Sequence, residues 1–331
     1  MMAISMKMKI QTIYFLLLPD TLLLDLAGPA DAFLFANRYQ DNVRFRLVFI
    51  SPLPDVTCSA GLQLGPLLPL PTFMEDDAIL VLPGLVGQHL DYDSPVEQQA
   101  ITWLRSQYQL QHQSQHRLIC ICSGALLAAH AGLLRNHHAT THHDHCQDLS
   151  HIDSSICVEE NRIFVEDGTV STSAGVTAGI DLVLHLISDL ADPLTAASVA
   201  RNMVVYMRRS GHDPQLSPWL QHRNHLHPAI HKVQNAILKN PAQTWNLNNL
   251  SEIACTSSRH LTRLFKLHSG ISIQEYLTGL RLSLAKQLLT ETTLPIDYVA
   301  QKAGFGSTRQ FRRVWNAIYS FPPSAAAKQM R

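Results

Sequence analysis

Chemistry is first suggested where an apolar run breaks at a cysteine. In RLICICSGALLAAHAGLL, residues 117–134, a strand-like stretch ends at Cys122-Ser123-Gly124 and a helical pattern begins at once. A sharp strand-to-helix turn of this kind presents one side chain at the edge of a sheet, and here Cys122 stands where a nucleophile would. Thr140-Thr141-His142 follows, with the histidine twenty residues after the cysteine. The small-residue stretch Ser173–Gly179, with Ala174 and Gly175 near its start, could cradle an anion. Equally, Gly175 and Gly179 could do no more than permit a tight strand-to-helix turn. His137, His138, His142, His143, His145 and Cys146 form a dense metal-ligand cluster, but their spacing matches no defined zinc pattern, so surface histidines and no metal are expected. Cys120 and Cys122 would share one face of a strand, and two ligands are too few for structural zinc.

A second set of chemistry-bearing residues lies near the C-terminus. LNNLSEIACTSSRHLTRLFK (247–266) and IDYVAQKAGFGSTRQFRRVW (296–315) resemble each other, with Leu250 matching Val299 and Ala254 matching Ala303. After a one-residue slip, Leu261, Leu264 and Phe265 match Phe311, Val314 and Trp315. Each copy reads as a short helix, a tight turn after a small residue, and a second helix capped by Ser257 or Ser307. At helical spacing the second helices bury their apolar residues and expose Ser258, Arg259, Thr262 and Arg263 in one copy. In the other they expose Thr308, Arg309, Gln310, Arg312 and Arg313. Arginine reads guanine, glutamine reads adenine and threonine touches the thymine methyl in the major groove of double-stranded DNA.

The elements that must position these groups divide the chain in two. At 331 residues, 46% hydrophobic and 16% charged, it suits two folded domains rather than a disordered segment. Apolar runs at Ile10–Leu18, Phe45–Ile50, Ala78–Leu82, Leu118–Cys122 and Arg162–Val165 alternate with helical patterns such as Gly124–Leu134 and Gly179–Leu190. Near-continuous apolar strands of this kind predict an α/β domain with a mostly parallel sheet and helices on both faces. An all-α domain with two helix-turn-helix units follows. The predicted boundaries are 8–209, a linker at 210–228 rich in Pro, His and Gly, and 229–331. The net charge of zero hides an asymmetry: residues 226–331 hold 13 Lys+Arg against 4 Asp+Glu, and residues 1–225 hold 13 against 22. The basic part is suited to a polyanion and the acidic part is not. No apolar stretch reaches the roughly 20 residues of a membrane span, and Ile13–Leu18 is broken by Pro19 and Asp20, so a cytoplasmic, nucleoid-associated protein is expected. Six scattered cysteines read as reduced thiols, most of them buried.

The C-terminal third resembles the AraC/XylS family of DNA-binding domains. ISIQEYLTGLRLSLAKQLL (271–289) is similar to that family's linking helix, and FPPSAAAKQMR (321–331) to its closing pattern, with Phe321 where glycine is common. The elbow and Thr-Thr-His pair resemble the DJ-1/PfpI superfamily, which implies a flavodoxin-like domain and an acidic partner for the cysteine at Asp25, at the end of the first strand region. Asp25, Cys122 and His142 then form the candidate pocket triad, with Ser123, Ala174 and Gly175 beside it. A neighbouring acid or imidazole and a helix N-terminus would favour the thiolate. With STSAGVTAGIDL (171–182) and VARNMVVYMRR (199–209), the whole chain resembles the GlxA group of regulators. That resemblance implies a DNA-binding transcription regulator, an activator more than a repressor, that senses a small molecule such as an amino acid or amine and is not an enzyme. It further implies RNA polymerase and a second copy of the chain as partners, with no cofactor. The competing expectation is a cysteine hydrolase or hydratase carrying an accessory nucleic-acid-binding domain.

Overall fold

Along the central strands, successive side chains enter opposite cores. Ile13, Phe15, Ile79, Val81, Ile119 and Ile121 fill one, and Tyr14, Leu16, Leu80, Leu82, Leu118 and Cys120 fill the other. This period of two, apolar on both faces, is what a sheet covered on both sides requires. The structure, a computed structural model, describes residues 8–87, 90, 92–110, 116–205, 209–211, 215, 222–223, 225–319 and 321–326. Its chain separates into two units, Met1–Gln215 and Leu216–Arg331.

In the first unit the elements are β1 (Lys9–Leu16), α1 (Leu23–Ala36), β2 (Val43–Ile50), β3 (Val56–Thr57), β4 (Gln63–Leu64), β5 (Ile79–Leu82) and α2 (Pro95–Leu110). They continue with β6 (Arg117–Ile121), α3 (Gly124–His130), β7 (His138–Ala139), α4 (Cys146–Ile152), β8 (Cys157–Val158), β9 (Phe164–Asp167), β10 (Val170–Ser173), α5 (Thr177–Leu190) and α6 (Pro193–Asn202). The main sheet has the order β2-β1-β5-β6-β10-β9, and all its neighbours pair in parallel except the edge strand β9. Helices α1, α5 and α6 pack on one face, and α2, α3 and α4 on the other.

Three local readings change. Asp25 lies in the first turn of α1 rather than at a strand end. That helix contains Gly28 and Pro29, and a Cβ at Gly28 would come within 2.8 Å of Ile180, so glycine lets α1 and α5 close together. Val170–Ser173 is a strand, fully buried although its side chains are mostly hydroxyls. Cys120 and Cys122 do not share a face. Cys122 lies past the strand with φ of 55°, which turns its side chain into the opposite core from Cys120.

The second unit comprises α7 (Pro228–Lys239), α8 (Leu247–Ile253), α9 (Ser258–Ser269), α10 (Ile273–Glu291), α11 (Ile296–Lys302) and α12 (Thr308–Asn316). It has two small cores strung on one helix. Tyr276, Leu277 and Leu280 of α10 join Ile230, Val233, Leu250, Leu261 and Phe265, and further along Leu282, Ala285 and Leu289 join Val299, Phe311 and Trp315. Between the two cores, Arg281 donates to the carbonyls of Pro241 and Gln243 at 2.9 Å. Gly304, at φ of 85°, sits against the backbone of Ala242, where any Cβ would come within 2.6 Å of its Cα. The α7–α8 connection is thereby fixed to both halves. Among the described residues, no helix is long and apolar enough to cross a membrane.

Candidate functional sites: a closed thiol–carboxyl pair and two exposed helices

The loops leaving the carboxyl ends of β1, β5, β6 and β10 converge on Asp25, which is fully buried. Its carboxylate accepts from the backbone N–H of Gly84 at 3.2 Å and of Val176 at 2.6 Å, and the Cys122 thiol donates to it. Ligands of open α/β sheets bind at this edge. Cys122 and Val176 both occupy the left-handed region, with φ of 55° and 50°. That conformation is unfavourable for a residue bearing a side chain, most of all a β-branched one, and such strain gathers at functional sites. Two glycines close over the pair. A Cβ on Gly84 would lie 2.7 Å from an Asp25 oxygen, and one on Gly175 would lie 2.7 Å from Cys122 Sγ. Gly175 is therefore required for close packing as well as for its turn, at φ of 91°.

Burial dominates the electrostatics. It pushes the Asp25 carboxyl up to about 6, against the lowering effect of its hydrogen bonds. Burial, with the neighbouring Asp25 charge, pushes the Cys122 thiol up to about 12. At neutral pH the pair therefore holds one carboxylate and one thiol. Burial favours the thiol over the thiolate, because a second anion beside Asp25 would be taken out of water.

Of the other expected pocket residues, Ser123 reaches the same Gly84 that Asp25 and Cys122 meet. Ser123 is buried, and its hydroxyl accepts from Leu85 N–H at 2.8 Å and donates to Leu85 C=O at 3.0 Å, bracing the β5 loop. The His142 ring lies 4.2 Å from that of His143, with Nδ1 3.5 Å from Asp144. The preceding residue, Thr141, donates its hydroxyl to Cys122 C=O at 2.8 Å. Ala174 is buried and joined through its N–H to Ile163 C=O. The backbone donors of Gly84 and Val176 carry no sequence signal, since every residue but proline has an N–H.

Part of the expected linker packs on this unit. Arg209 makes hydrogen bonds of 2.7 Å to both Asp181 and Thr177 at the start of α5. Gly211 lies against Phe164, and Gln215 donates to Thr141 C=O at 2.8 Å. Residues 206–208, which belong to the VARNMVVYMRR stretch, lie outside the described residues, as does most of 212–221.

In the second unit, α9 and α12 begin as the spacing predicts. Ser257 accepts from His260 N–H at 3.3 Å and Ser307 from Gln310 N–H at 3.2 Å. Leu261, Phe265, Phe311 and Trp315 are buried, and Arg259, Thr262, Arg263, Arg309, Arg312 and Arg313 are exposed. None of these arginines forms an ion pair with a carboxylate of the described residues. Two expected contact residues are engaged within the fold. The Ser258 hydroxyl, half-buried, reaches Asn248 and Ser251 of α8 at 3.3 and 3.2 Å. The Gln310 side-chain oxygen accepts from Gly306 N–H at 3.1 Å, as a capping residue does. Thr308 is half-buried, and the Thr262 hydroxyl donates to Ser258 C=O at 2.9 Å, which leaves its methyl for outside contact. Phe321, at the position where glycine was the expected residue, supplies the carbonyl that accepts from Trp315 Nε1 at 3.0 Å. The end of the closing pattern, 327–331, lies outside the described residues.

Comparison with known proteins agrees with this division. Residues 11–189 match the family model for DJ-1/PfpI, and residues 250–329 match that for a helix-turn-helix domain. The chain is 27% identical over 314 residues to the HTH-type transcriptional regulator GbdR of Pseudomonas aeruginosa, covering 95% of this chain and 83% of that protein. It is 35% identical over 191 residues to isonitrile hydratase of Pseudomonas putida, covering 56% of this chain and 74% of the hydratase. The crystal structure of a THiJ/PfpI family protein from Pseudomonas syringae superposes with a TM-score of 0.51 at 23% identity, covering 75% of this chain and 90% of that one, a likeness of fold alone.

Proposed function

The chain belongs to the DJ-1/PfpI family, and from that footing we propose that it is a sequence-specific transcription regulator whose α/β unit senses a small molecule. The observation that carries this reading is the pair of serine-capped helices whose outward arginines have no carboxylate partner among the described residues. Arg259, Arg263, Arg309, Arg312 and Arg313, with Thr262, are the residues assigned to DNA. The regulator's name carried by GbdR, over nearly the whole length of this chain, supports the same reading.

The effector is assigned to the carboxyl edge of the sheet, beside Asp25, Cys122 and Gly175. A carboxylate there, with a protonated thiol, suits an amino acid or amine better than an anion. The protonated thiol also supports binding without turnover. Thr141 links the elbow to Gln215, and Val176 precedes Thr177, which Arg209 grips; a ligand that shifts the elbow thereby shifts the chain segment leading to the second unit. Such a ligand modulates DNA binding or polymerase recruitment only through different affinity for two states. We assign the active form to a homodimer at the nucleoid.

Selection of bound duplexes from a randomised pool by the full chain tests the function. The expected product is a bipartite site with its two halves about one helical turn apart, enriched equally by Cys122→Ala. Failure to enrich any sequence would overturn the regulator reading. Hydration of isonitriles by the wild type, lost in Cys122→Ala, would replace the sensor with an enzyme.

A further inference from the structure

The histidine cluster after the elbow was expected to be surface decoration, yet part of it converges. Ring nitrogens of His142 and His143 and a carboxylate oxygen of Asp144 all lie within 4.8 Å of one another. His142 Nδ1 is 3.5 Å from Asp144 Oδ2, and His143 Nε2 is 3.5 Å from Asp144 Oδ1. Metal–nitrogen and metal–oxygen bonds of about 2.1 Å place tetrahedral ligand atoms roughly 3.4 Å apart, so each imidazole stands at about that distance from one oxygen of the same carboxylate. We propose that His142, His143 and Asp144 bind one divalent transition-metal ion of the zinc, cobalt or nickel class, with water completing its coordination.

The chemistry of the donors supports that class. Two imidazoles and one carboxylate suit borderline metals, whereas calcium and magnesium prefer all-oxygen sites. The single negative charge partly offsets a dication. The two imidazoles come from His143 and from the half-buried His142. Its Nδ1 only weakly accepts from Asp144 N–H, at 3.4 Å, so the competing interaction is slight.

The site also has a firm base and an open top. Thr141, just before it, is fully buried and bonded to Cys122 and Gln215. His145 N–H closes the turn onto His142 C=O at 2.8 Å, and His145 is held by Asp148 at 3.0 Å. The side chains of His142, His143 and Asp144 retain 30%, 42% and 70% of their exposure, which admits an ion from solution. Another group, Glu166, His185 and Asp189, offers one imidazole and two carboxylates and is already closed by a 2.6 Å hydrogen bond, so it serves as an internal control.

The test is titration of tag-free, chelator-stripped full chain with Co²⁺, read by its visible absorption, and with Zn²⁺ against a chromophoric chelator. One equivalent should bind to wild type and to His185→Gln alike. Binding should weaken at least tenfold in His143→Gln and in Asp144→Asn, with far-ultraviolet circular dichroism unchanged in both. Absence of a stoichiometric equivalent in wild type would overturn the proposal. So would full retention in His143→Gln and Asp144→Asn, or loss in His185→Gln. The outcome does not depend on whether the chain binds DNA.

Discussion

The α/β unit turns its polar groups inward, and the helical unit turns them outward. In the first, Asp25, Ser123, Thr141 and Asp181 are buried and each is hydrogen-bonded across different elements. Every ion pair found among the described residues belongs to this unit. In the second, the exposed faces of α9 and α12 present arginines with no such partner. A buried, strained, mutually satisfied cluster is suited to sense something that rearranges it, whereas an uncompensated basic face is suited to a polyanion. The difference is hidden by a net charge of zero, since residues 226–331 are basic and residues 1–225 acidic.

The largest expected contrast is between thiols. With its thiol at about 12, Cys122 has roughly a thousandth of the thiolate of an ordinary cysteine at pH 7. Iodoacetamide should therefore label the exposed Cys157 and Cys255 faster by about a hundredfold or more, as read by peptide mass spectrometry. Labelling of Cys122 at a comparable rate would contradict the closed site. Next is Gly175→Ala, which forces both an unfavourable φ and an overlap with Cys122. It should destabilise the α/β unit by about 3 kcal/mol in denaturant unfolding while leaving the helical unit unchanged.

A smaller effect follows from Asp25. Its folded-state pKa of about 6 lies above the ordinary 3.8, so the native state holds the proton more tightly than the unfolded chain. The corresponding stability is fully present below about pH 4 and is lost as pH rises through 6, an effect on the order of 2–3 kcal/mol. The change in stability between pH 4.5 and pH 7 should shift by most of that amount in Asp25→Asn, which removes this titration. An identical pH dependence in both proteins would refute the assignment. The smallest contrast is between two serines. Ser123→Ala leaves a buried N–H of Leu85 unpaired and should cost about 2 kcal/mol, whereas Ser307→Ala removes only a helix cap and should cost about 1 kcal/mol.

The same contrast governs what could be read in the sequence. The helix-turn-helix units were legible because periodic burial of Leu261, Phe265, Phe311 and Trp315 recurs in two copies with serine caps. The elbow was legible because an apolar strand ends at small residues. Spacing brings His142 to the loop after the elbow without showing that its ring stands beside His143 and Asp144. Spacing alone also does not show that Ser258, read as a DNA contact, reaches the side chains of Asn248 and Ser251, or that Gln310 accepts from Gly306 N–H. Strand β10 escaped because Val-Ser-Thr-Ser lacks the apolar run by which its neighbours declared themselves.

The most direct test of the account is equilibrium binding of the full chain to its selected duplex and to a scrambled duplex, across a salt series, for wild type and Arg309→Ala. The account predicts a cognate preference that persists at moderate salt, and a loss of about 1–3 kcal/mol in Arg309→Ala on the cognate duplex alone. Equal affinity of wild type for both duplexes, falling steeply with salt and weakened equally on both by Arg309→Ala, would reduce the basic face to phosphate attraction and contradict it.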